Sequence, residues 1–175
     1  MKTLVIHPDD KTTKMLEYVY KDHPEFTICR DNGISSYELK ELIKKHDRII
    51  MLGHGLPMGL INQRRNGFLI DDGFAPLLRT KDTLSMWCYS DVYFRRHNIP
   101  GFHTGMIISE TAEESLMLGY KPLNEKEMLE NFKKISKCLG ECIELESKEI
   151  RSYMLEHYND NDPVSAFNRN NFIVL

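Results

Sequence analysis

Short apolar segments alternate with segments of helical periodicity through the first 110 residues, and this alternation restricts the fold more than any other feature of the sequence. Each apolar segment is rich in β-branched residues and too short for a helix. These segments are residues 3–6 (TLVI), 26–29 (FTIC), 49–52 (IIML), 83–87 (TLSMW) and 102–108 (FHTGMII). Strands that alternate with helices form a mostly parallel sheet covered on both faces. We therefore predict an α/β sandwich with a mostly parallel central sheet between helices.

Two departures from this alternation suggest how the chain is organised. Residues 58–61 and 67–70 flank a polar turn at 62–66, which predicts a β-hairpin. After residue 111 the apolar residues recur at helical spacing, in one long helix or in two broken at Gly140. We divide the chain into an α/β domain, residues 1–120, and a helical C-terminal extension, residues 121–175, that packs on it and ends in a short strand.

Composition excludes several classes of function. Lys and Arg number 23 against 26 Asp and Glu, a net charge of −3, which argues against a nucleic-acid partner. No apolar run approaches the roughly 20 residues of a membrane span, and the N-terminus turns polar too soon for a secretory signal. The four cysteines have no zinc-finger spacing, so we expect free thiols in a reducing compartment. The sequence thus predicts a cytoplasmic protein without a membrane partner.

His54 and Cys88 are the candidate catalytic pair. Each follows an apolar strand, and the carboxyl ends of neighbouring parallel strands meet at one edge of the sheet. A cysteine nucleophile needs a base or an ion-pair partner that lowers its pKa, and a helix beginning just after Cys88 would favour the thiolate further. Gly55 would let a substrate approach the backbone, so that its N–H can stabilise an oxyanion. The pattern predicts nucleophilic thiol chemistry.

The segments around this pair resemble the caspase-like cysteine peptidases of clan CD. The matching residues are 49–55 (IIMLGHG) and 84–90 (LSMWCYS), and the approach at 78–81 is similar to the bacterial branch of the clan. The resemblance implies a caspase-like three-layer sandwich and hydrolysis of a peptide or protein substrate. It implies His54 as general base and acid, Cys88 as nucleophile and Gly55 as oxyanion donor, with no metal or organic cofactor. Trp87 departs from the small or acidic residue common before the nucleophile and is expected to reshape the substrate-binding pocket.

The segment His7-Pro8-Asp9-Asp10 follows the first strand and has more than one interpretation. In the caspase-like clan this position helps to bind the substrate side chain before the cut bond. Acidic residues there would pair with Arg or Lys, so Asp9 and Asp10 are candidate substrate-binding residues for cleavage after a basic residue. The simpler interpretation is that the aspartates cap the following helix, which we favour for Asp10 and leave open for Asp9.

Three alternative functions stay open. The same four residues resemble the zinc motif of N-acetylglucosaminyl deacetylases, in which His7 and Asp10 would bind zinc and Asp9 would act as base, although Lys11 departs from that motif. Cys88 could also occupy an amidotransferase-like elbow with His103 as its base. A third alternative is a non-catalytic binding or regulatory module, whose helical C-terminal part packs on the domain or on a second copy as a homodimer. The interpretation we favour is a cysteine peptidase or an inactive homologue of one.

Overall fold

The computed structural model describes residues 1–62, 64, 66–158 and 161–175. Six strands form its central sheet in the order β2-β1-β3-β7-β8-β9. The first five strands in this order are parallel to one another, and β9 runs antiparallel to β8 at the edge. The bounds are Thr3–Ile6 (β1), Thr27–Cys29 (β2), Arg48–Leu52 (β3), Asp82–Met86 (β7), Phe102–Thr104 (β8) and Phe172–Val174 (β9). The mostly parallel central sheet predicted from the sequence is confirmed, as is the short strand at the C-terminus.

Helices cover both faces of this sheet and complete a three-layer α/β sandwich. They are Ser36–Lys44 (α1), Ala75–Leu78 (α2), Ser90–Arg96 (α3), Thr111–Leu118 (α4), Glu125–Cys142 (α5), Ser147–His157 (α6) and Pro163–Asn170 (α7). A further segment, Lys14–Val19, is a 3-10 helix. Local signals explain where several of them begin: Ser35 and Asn124 each form a capping box, and Asp162 caps α7 ahead of Pro163.

Side chains alternate between two apolar clusters on the two faces of the sheet. On β3, Ile50 and Leu52 belong to the cluster under α5 and α6, whereas Ile49 and Met51 belong to the cluster under α1, α2 and α3. All five residues of β3 are buried. This two-sided burial explains why the strand is a continuous apolar run and not an alternating one.

The C-terminal helices share the apolar core of the α/β part. Phe132 and Leu139 of α5 and Ile150 of α6 pack in the same cluster as Val5 and Leu84 of the sheet. The apolar cluster under α5 and α6 therefore contains residues from both sides of the sequence-based division at residue 120. Helices α5 and α6 are two separate helices, and Gly140 lies within α5, not at the break. A Cβ there would lie 2.7 Å from the carbonyl oxygen of Tyr18, so glycine permits the close packing of α5 on the 3-10 segment.

A small antiparallel sheet follows β3 directly. Its strands are Gly55–Leu56 (β4), Gly59–Asn62 (β5) and Gly67–Ile70 (β6), paired in the order β4-β5-β6. The predicted hairpin is thus present as β5 and β6, while β4 was not anticipated. Of the predicted turn, Gln63 and Arg65 lie outside the described residues. Within the described ranges, no helix is long and apolar enough to cross a membrane.

Candidate active site

His54 and Cys88 line one cleft at the carboxyl edge of the central sheet. His54 follows β3, Cys88 follows β7, and the two strands are parallel neighbours in register from Arg48–Asp82 to Leu52–Met86. The cleft is narrow, with a volume of about 20 Å³. Its other lining residues are Thr13, Leu16, Gly53, Met86, Trp87, Ile107, Ser109 and Phe132. Parallel pairing, as predicted, brings the two candidate catalytic residues to one site.

A chain of hydrogen bonds fixes the imidazole of His54 from the loop after β1. The Thr12 hydroxyl donates to Asp10 Oδ1 at 2.9 Å, so its oxygen is left to accept from His54 Nε2 at 2.7 Å. Asp10 Oδ2 lies 3.7 Å from the same nitrogen and has no hydrogen bond of its own among the described atoms. Neutral His54 therefore carries its proton on Nε2 and its lone pair on Nδ1. An imidazole in this tautomer can act as a base through Nδ1.

The thiol of Cys88 is neutral in the resting protein. Burial raises the pKa of Cys88 to about 11, with smaller contributions in the same direction from Glu113 and Glu110. Its Sγ donates to the carbonyl oxygen of Ile107 at 3.6 Å. A backbone hydrogen bond from Ile107 acts on the pKa in the opposite direction to burial and is the smaller effect. The sequence led us to expect a lowered pKa. The shift is upward because an apolar cleft penalises the thiolate and no cation lies among the causes of the shift.

Gly55, the predicted oxyanion donor, follows His54 but is not among the residues that line the cleft, and its surroundings explain the glycine. The His54 carbonyl accepts from Ile61 N–H, so Gly55 stands opposite Leu60 at a non-hydrogen-bonded position of the hairpin. Its own N–H therefore points away from β5. A Cβ on Gly55 would lie 1.9 Å from Cδ1 of Trp87. The indole thus packs directly on the Gly55 backbone.

Trp87 and Asp9, two of the predicted substrate-binding residues, make contacts within the protein. Trp87 is only 2% exposed and packs against Tyr93 and Phe94, although it forms part of the cleft wall. Asp9 faces away from the cleft and pairs with Arg30 at 2.8 Å and Arg64 at 3.6 Å. The third, Asp10, contacts His54 and also accepts the backbone N–H of Thr12, so it positions the loop after β1 as well.

The zinc-motif alternative finds no assembled ligand set. His7 is fully buried, with Nδ1 2.9 Å from the hydroxyl of Tyr20 and Nε2 3.2 Å from that of Thr13. Burial lowers the pKa of His7 to about 4, so it is a neutral core histidine. Its ligand atoms, those of Asp9 and those of Asp10 do not form a group within 4.8 Å in the described part of the chain. These contacts indicate that residues 7–10 have a structural role in the core and in the loop after β1.

The elbow alternative needs an accessible base, and His103 is fully buried. Its ring stacks on Phe94 at 3.8 Å, and Nδ1 lies 2.7 Å from the hydroxyl of Ser85. Burial lowers the pKa of His103 to about 3. The residue cannot reach Cys88 without disruption of the core.

Sequence reasoning missed Thr12 and Phe132. Thr12 holds the imidazole, and Phe132 lines the cleft from α5, more than 40 residues beyond Cys88 in the chain. An Asp-x-Thr segment after the first strand is a signal for an Asx turn and could have suggested Thr12. Nothing in the sequence near Phe132 distinguishes it from its neighbours in the apolar stripe of α5.

Comparisons with known proteins give a distant structural similarity and no match in sequence. The sequence matches no protein-family model and no curated protein. Among solved structures, it is similar to a flavodoxin from the domain Archaea, at 10% identity and a TM-score of 0.41, with 82% of this chain and 99% of that chain covered. This likeness bears on neither the site nor the function.

Alkylation of Cys88 by iodoacetamide at pH 8 is expected to be roughly 100-fold or more slower than that of a free thiol, because a pKa of about 11 leaves little thiolate. The rate should rise up to about pH 11. Site-resolved mass spectrometry measures it, with the same cysteine in urea-unfolded protein as the rate standard and His54→Ala alongside. Fast alkylation at mildly acidic pH that depends on His54 would contradict a neutral thiol and indicate an ion pair.

Proposed function

We propose that this protein is a caspase-like cysteine peptidase in which Cys88 attacks a peptide carbonyl and His54 moves the proton. One observation carries the proposal: a histidine whose tautomer is fixed by Thr12 lines the same cleft as a cysteine on the adjacent parallel strand. The cleft lies where α/β sheets place their sites, at the carboxyl ends of the strands. The resemblance of residues 49–55 and 84–90 to clan CD supports the same assignment.

The chemistry follows from the protonation states at rest. Cys88 is a neutral thiol, so its proton must pass to His54 Nδ1 as Sγ bonds to the carbonyl carbon of the substrate. The carbonyl π electrons move onto oxygen, where the N–H of Gly55 can donate. The intermediate collapses with cleavage of the C–N bond, and His54 returns the proton to the leaving amine. Water, deprotonated by His54, then hydrolyses the thioester and restores the thiol.

The small volume of the cleft limits how a substrate can bind. A volume of about 20 Å³ admits no peptide side chain, so a substrate must bind across the open mouth or widen the cleft. Such widening would have to displace wall residues such as Ile107, Ser109 or Phe132 of α5. An extended peptide laid over the mouth would bring its carbonyl to Cys88 without entering the cavity.

The proposal includes no preference for a basic residue. Asp9 already faces the guanidinium groups of Arg30 and Arg64, and Asp10 faces His54. A substrate arginine would have to displace one of these partners before it gained an ion pair.

The test is hydrolysis of a fluorogenic peptide panel that varies the residue before the cut bond. We expect hydrolysis by the wild-type protein, loss of detectable hydrolysis in Cys88→Ala, and retention in the control Cys29→Ala. Cys29 is a buried thiol on β2, outside the cleft, so it matches the substitution without touching the site. Equal hydrolysis by wild type and Cys88→Ala would reject the proposal.

A non-catalytic module is the second candidate, and the state of Cys88 favours it. A thiol that is largely buried, with its pKa raised to about 11, resembles a structural cysteine more than an activated one. Absence of hydrolysis by correctly folded wild type across the whole panel would support the module.

A further inference from the structure

We propose that His23, Glu25 and Glu144 form a divalent-cation site of the zinc type. None of the three residues lines the cleft that contains His54 and Cys88. One ligand atom from each residue lies within 4.8 Å of the other two. His23 and Glu25 belong to the loop between the 3-10 segment and β2, and Glu144 belongs to the turn between α5 and α6. We call these three residues the distal cluster. The inference does not depend on the proposed peptidase activity.

The orientation of His23 is the first argument for a cation. Nε2 lies 3.2 Å from the backbone carbonyl oxygen of Gly140, which can only accept, so Nε2 carries the proton. The ring is also stacked on Phe26, with centroids 4.6 Å apart and planes 7° from parallel. A histidine whose far nitrogen donates to a backbone carbonyl presents the other nitrogen as a metal ligand, the arrangement common in zinc sites.

The contact between His23 and Glu25 is the second argument. Nδ1 lies 3.2 Å from Glu25 Oε1. With the ring proton on Nε2, this contact places the lone pair of Nδ1 against a carboxylate oxygen. A ring nitrogen and a carboxylate oxygen at this distance can both bind one divalent cation. Glu144 brings a third ligand atom within 4.8 Å of the other two.

The backbone that carries Glu144 is held in place before any ion binds. Arg48 is buried at the start of β3 and donates to the carbonyl oxygens of Ile143 and Leu145, the residues on either side of Glu144. Its Nε also donates to Asp82 at 2.5 Å. This anchoring fixes the turn, so only the exposed side chain of Glu144 needs to move to complete the site.

The donor set indicates the class of ion. One imidazole nitrogen and two carboxylates suit zinc and similar divalent cations, with bond lengths of roughly 2.0–2.2 Å, and water completes the coordination. A nitrogen–oxygen separation of 3.2 Å is consistent with two ligands on one such ion. Bound zinc would tie the loop before β2 to the α5–α6 turn, two segments that no strand pairing joins in the described structure.

The test is zinc titration of metal-free full-length protein in the Cys88→Ala background, which removes the cleft thiol as a ligand. Isothermal calorimetry and thermal unfolding with and without zinc are the readouts. We expect one zinc per chain and a higher unfolding temperature with zinc. Affinity should fall roughly tenfold or more in His23→Asn and in Glu144→Gln. Asp22→Asn is the matched control, because this exposed carboxylate adjoins His23 but lies outside the distal cluster.

Three results would overturn the inference. Zinc binding unchanged in both His23→Asn and Glu144→Gln would place the ion elsewhere. An equal loss in Asp22→Asn would indicate general surface charge and no defined site. Zinc that binds the wild-type protein in a parallel titration but not the Cys88→Ala protein would assign the ion to the cleft. Glu144→Gln changes one exposed side chain and keeps the fold, so the test stands even if His23→Asn is destabilised.

Discussion

His54→Ala is expected to lower kcat/KM for a cleaved peptide by about 10³-fold, because general acid–base catalysis contributes on the order of 10² to 10⁴. The loss should fall mainly on kcat, since Nδ1 acts on the proton of Cys88 and not on substrate affinity. A resting thiol with a pKa of about 11 makes the base essential, because almost no thiolate exists at neutral pH without it. Steady-state kinetics with one fluorogenic peptide measures both parameters.

The Asp10→Asn variant distinguishes the effect of orienting His54 from the effect of the negative charge of Asp10. Asparagine Oδ1 can still accept from the Thr12 hydroxyl, so the chain of hydrogen bonds to His54 is kept while the negative charge is lost. We expect a smaller loss of kcat, on the order of tenfold, equivalent to one charge-assisted interaction. Asp9→Asn is the matched control, since Asp9 pairs with Arg30 away from the cleft.

Two other results of these kinetic measurements would change the roles proposed for His54 and Asp9. A His54→Ala protein with wild-type kcat would remove His54 from the mechanism. A selective loss of activity on peptides with Arg before the cut bond in Asp9→Asn would instead restore the acidic recognition loop predicted from the sequence.

Gly55→Ala is expected to destabilise the protein by about 3 kcal/mol or more, near the upper end for overpacking a core. The added Cβ would lie 1.9 Å from Trp87 Cδ1 and 2.4 Å from Cγ. The indole cannot retreat, because Tyr93 and Phe94 pack against it at centroid distances of 6.0 Å and 5.3 Å. For a chain of this size the unfolding temperature should fall by roughly 6–12 °C, measured by calorimetry.

Gly119→Ala is the control for the loss of glycine alone. Gly119 has φ of 78° and no atom within 4 Å of a built Cβ, so the substitution adds left-handed strain without a clash. It should cost about 1 kcal/mol. Combining Gly55→Ala with Trp87→Phe should cost less than the sum of the two single changes, because the smaller ring leaves room for the methyl. Strict additivity, or a Gly55→Ala protein as stable as wild type, would reject this packing argument.

The close packing of Gly55 and Trp87 links stability to the site. The indole that excludes a Cβ at Gly55 also forms a wall of the cleft next to Cys88. Trp87 was predicted to contact substrate because it precedes the nucleophile. Its indole is buried and packs against the backbone of Gly55, the residue whose N–H is proposed to face an oxyanion. The double variant Gly55→Ala with Trp87→Phe is therefore expected to fold but to have a reduced kcat.

The sequence determined the layered fold because its signals are local. Continuous β-branched runs such as 49–52 specify two-sided burial, helical spacing specifies the covering layers, and parallel pairing follows from their alternation. The same logic placed His54 and Cys88 at one edge, since both follow neighbouring strands. Capping residues such as Asn124 set where helices begin, again through contacts within a few residues.

Only the tertiary structure decided the properties that depend on distant neighbours. The upward pKa shift of Cys88 comes from burial in a cleft to which α5 contributes Phe132, and the tautomer of His54 comes from Thr12, 42 residues earlier in the chain. Solvation and hydrogen bonding between such residues leave no periodic signal in the sequence, because they depend on which side chains the folded layers bring together. The sequence therefore determined that His54 and Cys88 meet at this edge, whereas tertiary packing added Thr12 and Phe132 and set the charge and orientation of the pair.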